Sequence, residues 1–160
     1  MVPRHPPTVV AVVIVVTLLV TGPLLGVDAV ETQPTIIGDG TASVSSVDVA
    51  SSEIRITDGR FGADAAYLRV PDASVTVDAV SGRPRLLYQV DVPALDVSLE
   101  DEQVLSAGQT GTYRLAPGDK GLALSLPEQD TYHGSVRIRV QSFETDETIV
   151  TENVTVQVER

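Results

Sequence analysis

Two histidines, no cysteine and 22 carboxylates set the chemistry that this chain of 160 residues can offer. Nucleophilic catalysis requires a Ser, Thr or Cys held against a base. His5 precedes a long apolar run, so His133 is the single imidazole downstream of it. A Ser-His-Asp site would rest on His133 alone, without a nucleophile-elbow motif. Ordinary zinc sites need three or four nitrogen or sulfur ligands, which this composition does not supply. Paired carboxylates can hydrolyse glycosides. In so acidic a chain, however, some pair falls at any chosen spacing, and the aromatics that sugar sites use are scarce: four Tyr, two Phe and no Trp. The expectation is a non-enzyme, with no catalytic, cofactor-binding or metal residues.

Oxygen-rich segments are the remaining metal candidates: Asp58-Gly59 with Asp64, Glu100-Asp101-Glu102, and Glu144 with Asp146 and Glu147. None of these turns fits the D-x-[DN]-x-[DN]-G calcium loop, and a solvated acidic surface is the better explanation of them. No glycine-rich phosphate loop stands between a strand and a helix. One motif carries a definite chemistry. Asn153-Val154-Thr155 fits N-x-[ST], and Asn153, the only asparagine, is a candidate N-glycosylation acceptor. Arg137 and Arg139 fall on the same strand face as Asn153 and Thr155. Cross-strand contacts to Thr155 or Glu159 explain them as structural pairs, and a partner-binding patch is the alternative.

The elements that must position these residues begin with an apolar segment. Met1 to Pro7 carries Arg4 and no acid, Thr8 to Val27 has no charge, and Asp28 and Glu31 follow. About 20 apolar residues cross a hydrocarbon core of ~30 Å as a helix. The charge order favours an inside N-terminus with the rest outside. Val9 to Val20 also has the length of a signal-peptide core. Gly22-Pro23 then interrupts the helix after this core, and cleavage after Ala29 is sterically reasonable. Residues 1–29 are thus a transmembrane anchor or a cleaved signal, and both readings imply export. The partner would be the cytoplasmic membrane if the segment stays uncleaved.

Residues 30–43, with Pro, Gly and Thr, read as a linker, and 44–160 as one domain. The formal charge is −11. Such a surface repels phosphate backbones, so nucleic acid is excluded as a partner, and no small-molecule substrate is suggested. Without cysteine the domain depends on an apolar core rather than on disulfides.

Alternation of period two dominates from Val44 onward. Clear strands bury Val75, Val77 and Ala79; Leu86, Tyr88, Val90 and Val92; Leu95, Val97 and Leu99; Tyr113 and Leu115; Leu122, Leu124 and Leu126; Val136, Ile138 and Val140; and Val154, Val156 and Val158. Weaker strands occupy Val44–Val49, Glu53–Thr57 and Tyr67–Val70. Turns at Asp58-Gly59, Ser81-Gly82 and Pro117-Gly118 separate them. This spacing predicts an all-β antiparallel sandwich behind one N-terminal apolar helix.

Leu126-Pro127-Glu128-Gln129-Asp130-Thr131-Tyr132, just before the long Val136–Phe143 strand, resembles the tyrosine corner of immunoglobulin and fibronectin-type sandwiches. The resemblance covers seven residues and lacks the Cys pair and Trp of antibody domains. It implies an immunoglobulin-like sandwich in which Tyr132 bonds back to the region of Pro127 to Gln129.

Asp outnumbers Glu thirteen to nine, and Arg outnumbers Lys ten to one. That balance resembles exported or membrane-anchored proteins of halophilic archaea that pair one apolar segment with one β-domain. A dense carboxylate surface stays hydrated where molar salt shortens screening to ~3 Å. The resemblance implies a non-catalytic module on the outer face of the cytoplasmic membrane or secreted, contacting an envelope protein or surface layer. The alternatives are an envelope assembly component, archaellum stator or pilin-like, and a small secreted hydrolase. Pilins place a processing signal before the helix where this chain has Pro6-Pro7.

Overall fold

Hydrophobic side chains at every second position force strands whose one face must be covered. The computed structural model describes residues 37–59, 65–122 and 129–159. The segment 1–29, linker residues 30–36, Phe61, Asp64, Leu124, Leu126, Pro127 and Glu128 lie outside the described residues.

The described chain is all-β. In order it runs β1 (Gly40–Val49), β2 (Arg55–Asp58), β3 (Ala66–Arg69), β4 (Ala73–Gly82), β5 (Arg85–Val92), β6 (Val97–Val104), β7 (Gly111–Leu115), β8 (Lys120–Leu122), β9 (Thr131–Gln141) and β10 (Asp146–Glu159). Short 3-10 turns at Ser51–Glu53 and Pro93–Leu95 are its helical parts among the described residues. None of them is long and apolar enough to cross a membrane. One sheet has the order β1-β4-β7 and the other β6-β5-β9-β10-β2-β3-β8.

A single hydrophobic cluster joins the two sheets. Val75, Val77 and Leu115 come from the smaller sheet; Ile56, Leu68, Leu86, Tyr88, Val90, Val136, Ile138 and Val156 come from the larger. The alternation expected for β5, β9 and β10 is thus the alternation observed. Tyr88, fully buried, extends its hydroxyl to donate to the Pro71 carbonyl oxygen at 3.1 Å, tying β5 to the segment that leads into β4. A buried phenol requires such an acceptor.

Several features differ from the expectation. β1 begins at Gly40 rather than Val44, because Thr41 and Ala42 pair with Ser81 and Val80 and Ala42 is buried. The pairing is not wholly antiparallel. β2 runs parallel to β10 over Arg55–Thr57, since the Ser51–Glu53 turn carries the chain from the smaller sheet to the larger with β2 already pointing along β10. Ala79, late in β4, is exposed rather than buried, and Leu95 belongs to the 3-10 turn ahead of β6 rather than to the strand. The Ser81-Gly82-Arg83-Pro84 turn then carries the chain from the smaller sheet to the larger. There Gly82, with φ of 66°, faces Gly40 so closely that a Cβ would lie 1.9 Å from the Asp39 carbonyl oxygen. Only glycine fits both the backbone angle and that approach.

Gly134 on β9 meets a similar constraint without an unusual φ. A Cβ there would lie 2.6 Å from the Asp91 carbonyl oxygen and 3.4 Å from Val154 Cγ2. Gly134→Ala should lower stability by about 1–3 kcal/mol through this overpacking, read as a reduced urea midpoint with unchanged m-value.

Burial, followed by the negative charge of Asp72, pushes the Tyr88 phenol up from 10.0 to about 12. Above pH 10.0 the unfolded chain releases this proton while the folded one keeps it, so stability falls from there until about pH 12. Tyr88→Phe should lose about 1 kcal/mol at neutral pH, from the missing hydrogen bond, and should show a shallower alkaline decline in thermal midpoint.

Candidate functional site

Strand alternation sends the even-numbered residues of β5 and β9 into the core, and the odd-numbered ones outward from the larger sheet. Register then aligns Gln89 with Arg137, Leu87 with Arg139, Arg85 with Gln141, and Asp91 with both Ser98 and Ser135. These outward side chains form one connected network. Asp91 Oδ1 accepts hydrogen bonds from Ser98 Oγ at 2.6 Å and Gln89 Nε2 at 3.1 Å, while Asp91 Oδ2 accepts from Arg137 Nη2 at 2.7 Å. Gln89 Oε1 accepts from Arg139 Nη2 at 3.4 Å. Arg139 Nη1 donates to Asp146 Oδ2 at 2.9 Å, which also accepts from Gln141 Nε2 at 3.1 Å. Gln141 Oε1 in turn accepts from Arg85 Nε at 2.9 Å, and Arg85 pairs with Glu102.

Leu87, 1% exposed, is buried on this outer face and stands outside the core cluster. Its register neighbours are Arg139 and Glu102, and long charged side chains cover apolar surface with their stems. Arg137 remains 41% exposed, and the Nε atoms of Arg137 and Arg139 are buried without a protein hydrogen-bond partner. Beside Arg137 lies an open groove of about 400 Å³ lined by Asp91, Asp96, Ser98 and Ser135. Asp96 ends the Pro93–Leu95 turn with φ of 52°, a left-handed conformation that Asp tolerates better than most residues.

The arginines found on sequence grounds do share the face of Asn153 and Thr155, but their charged partners are Asp91 and Asp146. Glu159 instead lies 3.3 Å from Arg55, and Thr155 stands opposite His133. Asn153 and Thr155 are exposed on β10, beside a shallow groove of about 300 Å³ lined also by Ser51, Ser52 and Glu152. A glycan on Asn153 would meet open space there. Tyr132 is 8% exposed at the start of β9, opposite Val156; the residues to which a corner would bond it lie largely outside the described ones.

The acidic segments separate in the fold. Glu100-Asp101-Glu102 is a strand rather than a turn. Glu102 faces outward to Arg85, and Asp101 Oδ2 accepts the Ala116 amide at 2.6 Å. Asp146 belongs to the arginine network. Among the described residues no three His, Cys, Asp or Glu side chains converge as metal ligands. Sequence reasoning found Arg137 and Arg139 but missed Asp91, Gln89, Leu87 and Ser98. The signal present was the run Arg85, Leu87, Gln89, Asp91 on the wet side of β5, and its meaning required knowing that β9 is the neighbour. No protein-family model matches the chain, and no curated protein matches it either.

Burial opposes the charge on Asp91, but hydrogen bonds from Ser98, Arg137 and Gln89, with the Arg137 charge, outweigh it and hold the carboxyl below its ordinary 3.8. Its stabilisation is therefore intact above pH 3.8 and lost as pH falls through the lowered value. Asp91→Asn should lose about 1–3 kcal/mol at neutral pH and flatten the acid limb of the stability curve, as checked by urea unfolding across that range.

Proposed function

We propose that this chain is a non-catalytic, exported, immunoglobulin-like β-sandwich module of a cell envelope, contacting another envelope protein or surface layer through the outer face of β6-β5-β9-β10. The network running from Ser98 to Glu102 through Asp91, Gln89, Arg139, Asp146, Gln141 and Arg85 carries the reading. It fixes the polar side chains of a wet sheet face before any partner arrives. Preorganisation of this kind reduces the side-chain entropy lost on association. Arg137, half exposed beside its groove, supplies an anchor of a type enriched in interface hot spots.

Strand order supports the immunoglobulin-like part. β4 and β7 lie in one sheet, in the places of strands B and E. β5, β9 and β10 lie in the other, in the places of C, F and G, with β6 where variable-type domains add C′. Tyr88 on β5 occupies the strand that carries the core Trp of antibody domains. β2, β3 and β8 extend the larger sheet beyond that pattern. Export is supported by the order Arg4, apolar run, Asp28 and by the acidic, cysteine-free remainder. A membrane anchor predicts detergent-dependent extraction, whereas a cleaved signal predicts a mature N-terminus at Val30.

Cross-linking in native envelopes at the salt of growth should capture one stoichiometric neighbour. Arg137→Gln combined with Arg139→Gln should lower the thermal midpoint, since Asp91 and Asp146 lose their partners, and should reduce that capture about tenfold or more at temperatures where circular dichroism shows the variant still folded. Equal capture by the double variant, or none by the wild type, overturns the reading. Co-purification dependent on filaments would move the assignment to an assembly component.

A further inference from the structure

β2 and β3 are short strands with the same in-and-out division as their neighbours. Ile56 and Leu68 are fully buried, so Arg55, Thr57, Tyr67 and Arg69 face outward from the larger sheet. Register sets Arg55 directly opposite Arg69. Like charges at opposed positions destabilise a strand pair, so two guanidiniums facing each other call for an anion between or beside them.

The two arginines are held very differently. Arg69 is tied at three points: its Nε donates to Thr57 Oγ1 at 3.2 Å, a nitrogen at its tip pairs with Asp119, and its guanidinium lies 5.2 Å from the centre of the Tyr67 ring. Among the described residues Arg55 has one paired carboxylate, Glu159, whose Oε2 lies 3.3 Å from its Nε. That contact lacks hydrogen-bond geometry, and the Arg55 Nε is buried without a partner. A buried donor left unpaired is unfavourable by about 1–3 kcal/mol. Above the pair opens a groove of about 620 Å³ lined by Arg55, Thr57, Asp58, Arg69 and Glu159, within the size range of small-ligand sites.

We propose that this groove binds a carboxylate, such as that of a small organic acid or a peptide end, bridging Arg55 and Arg69. A guanidinium presents its donors as a fork that matches the two oxygens of a carboxylate. Arg69, fixed by Tyr67 and Thr57, is the preorganised half of the site. Arg55, whose side chain is 43% exposed and ion-paired to Glu159 without a hydrogen bond, is the half that ligand completes. Glu159, whose side chain is 60% exposed, stands in the ligand's place and gives way to it. Asp58 and Glu159 at the rim disfavour a doubly charged phosphate more than a singly charged carboxylate, which sets the preference. The site is built on β2 and β3 with Glu159 from the end of β10, uses neither Arg137 nor Arg139, and does not depend on the partner-binding reading.

The test is a titration of the full-length chain with acetylglycine and, separately, inorganic phosphate, at ionic strength held constant with sodium chloride. Proton–nitrogen spectra of the arginine Nε–H groups report on each guanidinium. Acetylglycine should give saturable shifts of the Arg55 and Arg69 signals and leave those of Arg137 and Arg139 in place. Arg55→Lys and Arg69→Lys, which keep the charge and lose the fork, should each weaken the apparent affinity about tenfold or more. Glu159→Gln should strengthen it several-fold by removing the competitor. Shifts that remain linear with concentration, equal affinity in the lysine variants, or saturation by phosphate in preference to acetylglycine would each overturn the proposal.

Discussion

Register between β5 and β9 is the constraint on which both faces of the larger sheet depend. In the observed pairing Leu86 meets Val140, Tyr88 meets Ile138 and Val90 meets Val136 on the inner side, while Gln89 meets Arg137 and Asp91 meets Ser135 on the outer. A slip of β9 by one residue would drive Arg137 and Arg139 into the core and turn Val136, Ile138 and Val140 outward. Burial of the apolar set and satisfaction of the charged set therefore select the same alignment, and neither face can change without the other. Gly134 belongs to this constraint, because β9 passes so close to the Asp91 carbonyl that no Cβ fits between them.

Arginine distribution follows from the same sheet. Arg55, Arg69, Arg85, Arg137 and Arg139 all project from the outer face of the larger sheet, whereas Arg114 belongs to the smaller one and Arg83 to the turn between β4 and β5. In a chain with net charge −11, that face is nearly balanced by Asp91, Glu100, Glu102, Asp146 and Glu159. The smaller sheet presents mainly hydroxyls instead. Thr76 bonds Thr112, Thr41 bonds Ser81, and Ser45 donates to Asp78. The two outer faces thus differ in chemistry: five guanidiniums, with their directional donors, lie on the larger sheet, against Arg114 on the smaller among the described residues.

Stability rests on contacts that need no covalent staple. One apolar cluster spans both sheets, and Tyr88 adds a hydroxyl anchored on Pro71. Asp101 performs a comparable role at the edge, where its carboxylate takes the Ala116 amide just past the end of β7. That contact explains why an acidic strand such as β6 is more than a solvated surface. One carboxylate is spent on the fold, while Glu102, one residue on, faces Arg85 on the other side of the strand.

Period-two spacing of Leu86, Tyr88, Val90 and Val92, of Val136, Ile138 and Val140, and of Val154, Val156 and Val158 determined by itself which residues face inward, because side chains alternate strictly along extended backbone. All-β class, the dependence on an apolar core, and the outward placement of Arg137, Arg139 and Asn153 were contained in that local pattern. Local pattern carries no record of which strand lies beside which. The parallel β2–β10 pair, the passage of the chain between sheets at Ser51–Glu53, the bond from Arg137 to Asp91 across 46 residues and the confrontation of Arg55 with Arg69 were decided only by the tertiary structure. Strand neighbours are chosen by the packing of the whole core, and a guanidinium finds its carboxylate only once that packing has set them on adjacent strands.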